Sequence, residues 1–179
     1  MHLDAFRQLG VEIKEENGFI NCESAKLNGT EIVLDFPSVG ATENIMLASS
    51  LANGTTYIRN VAREPEIRSL QDFLNSMGAQ ISGAGSNTIV IKGVKSLHDT
   101  SYKVIPDRIE AGTYLILGAL IGKDLKINNI IPKHIEALTD KLKEIGFDLK
   151  IGFDYITIST KDNLNPVSIK TLGYPGFPT

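Results

Sequence analysis

Three prolines, Pro37, Pro106 and Pro175, stand 69 residues apart in this chain of 179 residues. Beside them runs a second series with a period of 68: Asp4, Asp72 and Asp140, together with Gly10, Gly78 and Gly146. The text between agrees. Asp4-Ala-Phe-Arg-Gln-Leu-Gly10 is echoed by Asp72-Phe-Leu-Asn-Ser-Met-Gly78 and by Asp140-Lys-Leu-Lys-Glu-Ile-Gly146, and an aliphatic residue follows each glycine three positions on (Ile13, Ile81, Leu149). A period this long exceeds any solenoid repeat, so each copy must be a whole supersecondary assembly.

One complete copy runs from Pro37 to Ile105. Its first helix is expected over Ala41–Ala52, stopping at Asn53-Gly54, and a strand alternates over Thr56–Arg59. A second helix follows Pro65, carries Ile67, Leu70, Leu74 and Met77 on one face, and ends at Gly78. Strands fit Gln80–Ser82, Thr88–Lys92 and Tyr102–Ile105. The next copy reads as helix Gly112–Ile121, strand Leu125–Asn128, helix His134–Ile145, and strands Tyr155–Ser159 and Val167–Lys170. The stretch Tyr114–Ile121 is apolar all round, which predicts burial on every side. The strands Asn87–Lys92 and Asp154–Ser159 instead alternate and offer one polar face. Buried helices with half-solvated strands imply inverted layering, with sheets around helices. The expected class is α/β, an inside-out repeat of βαβαββ units. The chain opens inside a helix of one copy and closes as another begins, so about two and a half copies are expected, a fold incomplete at both ends.

Composition removes several function classes. A formal net charge of −3 argues against non-specific nucleic-acid binding. No apolar run approaches the ~18–20 residues of a membrane span. The N-terminus lacks the basic and apolar regions of a signal peptide, which points to a cytosolic protein. The single cysteine, Cys22, excludes a disulfide framework and a multi-cysteine zinc site, and nothing basic beside it would activate the thiol. His2, His98 and His134 show no metal-ligand spacing, and no triad, P-loop or GxGxxG fingerprint is present. No cofactor is expected.

Three junctions could carry chemistry. Pro37-Ser38-Val39-Gly40 lies where a strand (Glu31–Asp35) hands over to a helix, where the first amides point outward with the positive end of the helix dipole. Small residues there suit a phosphate; equally, Ser38 could simply cap the helix. Arg63-Glu64-Pro65-Glu66 reads as helix-start chemistry, with proline at the first helical position and acid in the first turn. Pro106-Asp107-Arg108-Ile109-Glu110 resembles a capping box, and its charges could also line a polar cleft.

Ser38-Val-Gly-Ala-Thr-Glu-Asn-Ile-Met46, Ala62-Arg-Glu-Pro-Glu-Ile67, Gly83-Ala-Gly85, Pro106-Asp-Arg-Ile-Glu-Ala-Gly-Thr113 and the ending Phe177-Pro-Thr179 together closely resemble the UDP-N-acetylglucosamine 1-carboxyvinyltransferase family. The resemblance covers nearly the whole chain. It implies an inside-out α/β fold in two domains of three units, with the boundary near Ile105–Pro106, so residues 1–105 and 106–179 would be two partial domains. It implies transfer of the enolpyruvyl group of phosphoenolpyruvate to the 3′-hydroxyl of UDP-N-acetylglucosamine, the first committed step of peptidoglycan synthesis. Pro37, Ser38, Val39 and Gly40 fall where the family holds the nucleotide diphosphate, and capping and anion binding can coexist there. Some members carry Lys where Phe36 stands, so no charged contact transfers to that position. His2, Arg63, Glu64, Glu66, Asp107, Arg108, Glu110 and Thr179 match positions near the family's cleft.

The resemblance also implies what is missing. The family's general acid is a cysteine on a mobile Gly-rich loop that would precede Met1, and Cys22 is not its counterpart. The catalytic Asp would follow Thr179. The chain is therefore expected to be an internal piece of the enzyme, without catalytic residues and inactive alone. Two rival expectations are a repeat module that self-associates through uncovered helix faces, and the sister enzyme acting on 3-phosphoshikimate.

Overall fold

The in-phase glycines explain how the copies are built. In a computed structural model, which describes residues 1–177, Gly10, Gly78 and Gly146 follow α1 (His2–Gln8), α3 (Pro65–Ser76) and α5 (Glu136–Ile145). All three are left-handed, with φ of +95°, +97° and +117°, which glycine adopts without a β-carbon penalty. An antiparallel hairpin follows each: β1 (Glu12–Glu16) with β2 (Phe19–Glu23), β5 (Gln80–Ser82) with β6 (Thr88–Lys92), and β8 (Leu149–Ile151) with β9 (Tyr155–Ile158). The chain then returns to the same helix end. The carbonyl preceding each glycine accepts a backbone bond from the returning residue: Leu9 from Asn28 at 2.9 Å, Met77 from His98 at 2.9 Å, and Ile145 from Asn165 at 2.7 Å. A β-carbon on the glycine would stand 3.7, 3.2 and 3.7 Å from the side chains of those same residues. The repeat is thus a closed loop, clamped at one place in every copy.

The chain divides into two compact units, Met1–Val104 and a second from Ile105 onward. In the first unit, β3 (Glu31–Val33), α2 (Val39–Ser49) and β4 (Thr55–Arg59) complete the copy. The sheet order is β3-β4-β6-β5, with β3 parallel and β6 antiparallel to β4. Ile32, Ile58 and Ile89 lie opposite one another across three strands and are fully buried, while Val33 and Tyr57 face outward. That period-2 alternation gives the sheet one core face. Against it pack α1, α2 and α3 through Leu9, Ile45, Met46, Ile67 and Leu74.

The second unit repeats the plan. It contains α4 (Arg108–Ile121), β7 (Leu125–Asn128), a 3-10 turn (Pro132–Ile135) and α5, with sheet order β7-β9-β8 matching β4-β6-β5. Leu115, Leu142, Ile156 and Ile158 form its core. Gly118 lets α4 lie close to the sheet, since a β-carbon there would stand 2.7 Å from Ile158 Cγ2 and 2.8 Å from Leu125 Cδ2.

The structure corrects the sequence reading in four places. Tyr114–Ile121 is not buried on every side: Leu115, Gly118 and Ala119 are, whereas Tyr114, Ile116, Leu117, Leu120 and Ile121 are exposed. One sheet and one turn cover only one face of α4. Within each unit the layering is helices on one side of a sheet whose other face meets solvent. Tyr102–Ile105 is not a strand, because Tyr102 is taken by α3: its ring lies 5.5 Å from Phe73 and its hydroxyl 3.2 Å from Ser69 Oγ. Val167–Lys170 is not a strand either; the segment is tied at Asn165 to the end of α5. Conversely, Leu149–Ile151 is a short, solvent-exposed edge strand with too little apolar alternation to be read from sequence. Among the described residues, no helix is long and apolar enough to cross a membrane.

Candidate functional site

At the start of α2 the residue before the helix, Ser38, is extended (φ −113°, ψ 122°), and its Oγ accepts from the Ala41 amide at 3.3 Å. Capping is therefore real. It satisfies only the third helical amide. The N–H groups of Val39 and Gly40 precede the first i−4 acceptor within the helix and carry the positive end of its dipole. Thr42 locks the junction from below: its hydroxyl donates to the Ser38 carbonyl at 2.7 Å and accepts from the Ala62 amide at 3.2 Å. Pro37 is exposed at the entrance. His2, from the first turn of α1, lies over Gly40, where a β-carbon would be 3.4 Å from its Cε1. The ring Nδ1 is 2.9 Å from the Asn44 side-chain nitrogen.

The Thr42–Ala62 bond joins this junction to the segment that carries Arg63, Glu64 and Glu66. Pro65 is the first residue of α3 and Glu66 lies in its first turn, so the helix-start reading holds. Arg63 Nη2 donates to Asn87 Oδ1 at 3.1 Å. Glu64 Oε2 is buried with no hydrogen-bond partner. Glu43, on the face of α2 toward this segment, has its carboxyl pushed up, first by burial and then by the negative charge of Glu66. His2, Gly40, Thr42, Glu43 and Glu66 thus gather around one helix start in the first unit.

The corresponding start of α4 in the second unit is capped by Asp107, whose Oδ1 accepts from Ile109 N at 2.8 Å and Glu110 N at 3.0 Å. Asp107 and Glu110 are solvent-exposed. The Arg108 guanidinium lies 5.4 Å from the centre of the Tyr174 ring, a cation–π distance. Beside them runs a groove of about 640 Å³ lined by Arg108, Thr113, His134, Tyr174 and Phe177. Thr179 lies outside the described residues. Cys22 is exposed on β2, where it pairs with Ile13 of β1. Among the described residues, no group of His, Cys, Asp and Glu could hold a metal ion.

Sequence reasoning missed Thr42, Glu43, Asn44 and Asn87 as part of this arrangement. Asn44 had a legible signal: it is one helical turn beyond Gly40 and so shares its face. Asn87 had none, because its position follows from the return of β6 beside β4.

The clamped repeat and its two helix starts are those of the enolpyruvyl-transferase fold, as comparison with solved structures shows. The chain superposes on the crystal structure of the enolpyruvyl transferase NikO from Streptomyces tendae with a TM-score of 0.82, at 26% identity, over 98% of this chain and 46% of that one. EPSP synthase from Acinetobacter baumannii shares the fold at a TM-score of 0.65, with 22% identity over 88% of this chain and 38% of that one. The family model for EPSP synthase (3-phosphoshikimate 1-carboxyvinyltransferase) matches residues 1–179, and the chain belongs to that family. Within it, the chain is 57% identical to UDP-N-acetylglucosamine 1-carboxyvinyltransferase 2 of Caldanaerobacter subterraneus subsp. tengcongensis, covering 100% of this chain and 43% of that protein. It is 52% identical to UDP-N-acetylglucosamine 1-carboxyvinyltransferase 1 of Carboxydothermus hydrogenoformans, with the same coverage of 100% and 43%. The chain thus spans less than half the length of the curated relatives it matches.

Proposed function

We propose that this chain is the part of a UDP-N-acetylglucosamine 1-carboxyvinyltransferase that holds the nucleotide diphosphate, at the start of α2. In the whole enzyme, the sugar 3′-hydroxyl oxygen bonds to C2 of phosphoenolpyruvate and the C2–O bond to phosphate breaks, releasing inorganic phosphate. The observation that carries this reading is identity of 57% along the entire chain to a protein of that name. The outward amides of Val39 and Gly40 supply the physical means, since they can donate to phosphate oxygens with the helix dipole behind them. On this reading Pro37 and Ser38 shape the junction. His2, Arg63, Glu64 and Glu66 border the substrate on this unit; Asp107, Arg108, Glu110 and Thr179 are carried as candidates by their match to the family's sequence alone. The substrates are the two small molecules, no cofactor enters, and the reaction belongs to cytoplasmic peptidoglycan synthesis.

The chain contributes binding groups without the reaction's acid and base. Incubated alone with both substrates it should release no phosphate above background, while the full-length polypeptide should. Steady turnover by the purified 179-residue chain would overturn that division of labour. The UDP-sugar reading is tested by amide exchange: UDP-N-acetylglucosamine should protect Gly40 and Ala41, and shikimate 3-phosphate should not. The opposite pattern would favour the sister reaction.

A second reading is favoured by the uncovered apolar face of α4, where Leu120 and Ile121 are 69% and 73% exposed. A second copy of the chain burying this face would give a concentration-dependent dimer. Sedimentation velocity that stays monomeric at high concentration would remove it.

A further inference from the structure

We infer that Asn44 is a positioning residue: its amide holds the His2 ring with the proton on Nε2, offering a donor to the diphosphate beside the first turn of α2. The inference rests on the diphosphate reading above and adds to it the group that sets one of the donors.

The amide nitrogen of Asn44, rather than its oxygen, faces the ring. The Asn44 side-chain nitrogen is 2.9 Å from His2 Nδ1, and an amide nitrogen can only donate. Nδ1 must therefore present its lone pair, which in the neutral imidazole puts the proton on Nε2. The ring is held at a fixed place. Its Cε1 and Nε2 are 3.4 and 3.9 Å from the point where a Gly40 β-carbon would be, so glycine at this position lets the ring lie against the helix start. Asn44 follows Gly40 by one turn and shares its face, whereas His2 arrives from α1, 42 residues earlier in the chain than Asn44. The N–H groups of Val39 and Gly40 and the His2 ring then lie beside the same first turn of α2, although the ring comes from α1. The other tautomer would turn a lone pair toward the same space and repel a phosphoryl oxygen. Neither His2 nor Asn44 is buried, so replacing them removes no core packing.

The test has a ligand-free arm and a ligand arm, both on the 179-residue chain. Long-range proton–nitrogen correlation of the His2 ring in mildly alkaline solution should show Nδ1 unprotonated and Nε2 protonated. Asn44→Asp, which offers only acceptors, should move the proton to Nδ1. A wild-type ring protonated at Nδ1, or a ring unchanged by Asn44→Asp, overturns the inference. In the second arm, UDP is titrated. Asn44→Ala should weaken binding about threefold to tenfold, the worth of one hydrogen bond, and should cost nothing further in a His2→Ala background. Equal losses in both backgrounds would show that Asn44 does not act through His2. If UDP fails to bind even the wild-type chain while the ring responds as expected, the diphosphate reading falls and the tautomer assignment survives.

Discussion

In the first unit, α2 is packed by α1 and α3 as well as by β4 and β6, and Ala41, Ile45, Met46 and Ser49 are sealed from solvent. In the second unit, its counterpart α4 rests chiefly on β7, β9 and the 3-10 turn, and six of its nine apolar side chains remain exposed. By composition α4 is the more apolar helix of the two. Its burial is nonetheless poorer, because burial depends on how many neighbours a helix has and not on how greasy it is. Within its own unit, α4 has no helix in the place that α1 takes beside α2.

The comparison can be broken most directly at the two buried positions that stand in phase, Met46 and Leu115, both fully enclosed. Met46→Ala and Leu115→Ala should each cost about 2–5 kcal/mol in urea unfolding. A loss near zero at Leu115 would mean that the second unit has no consolidated core. Next in size is Gly118→Ala, which forces a methyl group against Ile158 and Leu125 and should cost about 1–3 kcal/mol. Its in-phase partner Ser49 buries a hydroxyl with no hydrogen-bond partner, so Ser49→Ala should be neutral or slightly stabilising. Equal losses at the two sites would deny that α4 lies closer to its sheet than α2 does.

The caps sharpen the contrast further. Asp107 satisfies two amides and Ser38 one. Asp107→Ala should cost about 1–2 kcal/mol and Ser38→Ala about 0.5–1 kcal/mol, with faster amide exchange at Ile109 and Glu110 in the first case and at Ala41 in the second. The smallest effect concerns Glu43. Its carboxyl is raised in the folded state, so the folded protein binds this proton more tightly than the unfolded chain does. The ionised group therefore costs stability above the raised pKa. The cost disappears as the pH falls through it and the ordinary carboxylate range. Glu43→Gln should raise the melting temperature slightly at neutral pH and leave it unchanged in acid. A larger gain in acid than at neutrality would reverse the assigned cause.

Much of this was legible in the sequence, for identifiable reasons. Gly10, Gly78 and Gly146 were readable because a helix end that needs positive φ restricts the residue type. Ser38, Pro65 and Asp107 were readable because capping is local chemistry. The strands over Thr55–Arg59 and Thr88–Lys92 were readable because one of their faces is buried and the other wet. Tyr102–Ile105 was misread because its alternation fits a strand, yet the residue that decides its path, Phe73, lies far away in the chain. The candidate site divides in the same way. Ser38, Val39 and Gly40 form one contiguous junction, but Asn44 meets His2 only after α1 packs on α2.

The amino-acid order by itself determined the period, the helix starts and stops, and the alternation of the main strands, since each depends on backbone preferences acting within a few residues. Only the tertiary structure decided which side of α4 is covered, that three returning residues clamp three helix ends, and that a histidine lies over Gly40. Those outcomes depend on contacts between residues distant in sequence, where packing and not local propensity selects the arrangement.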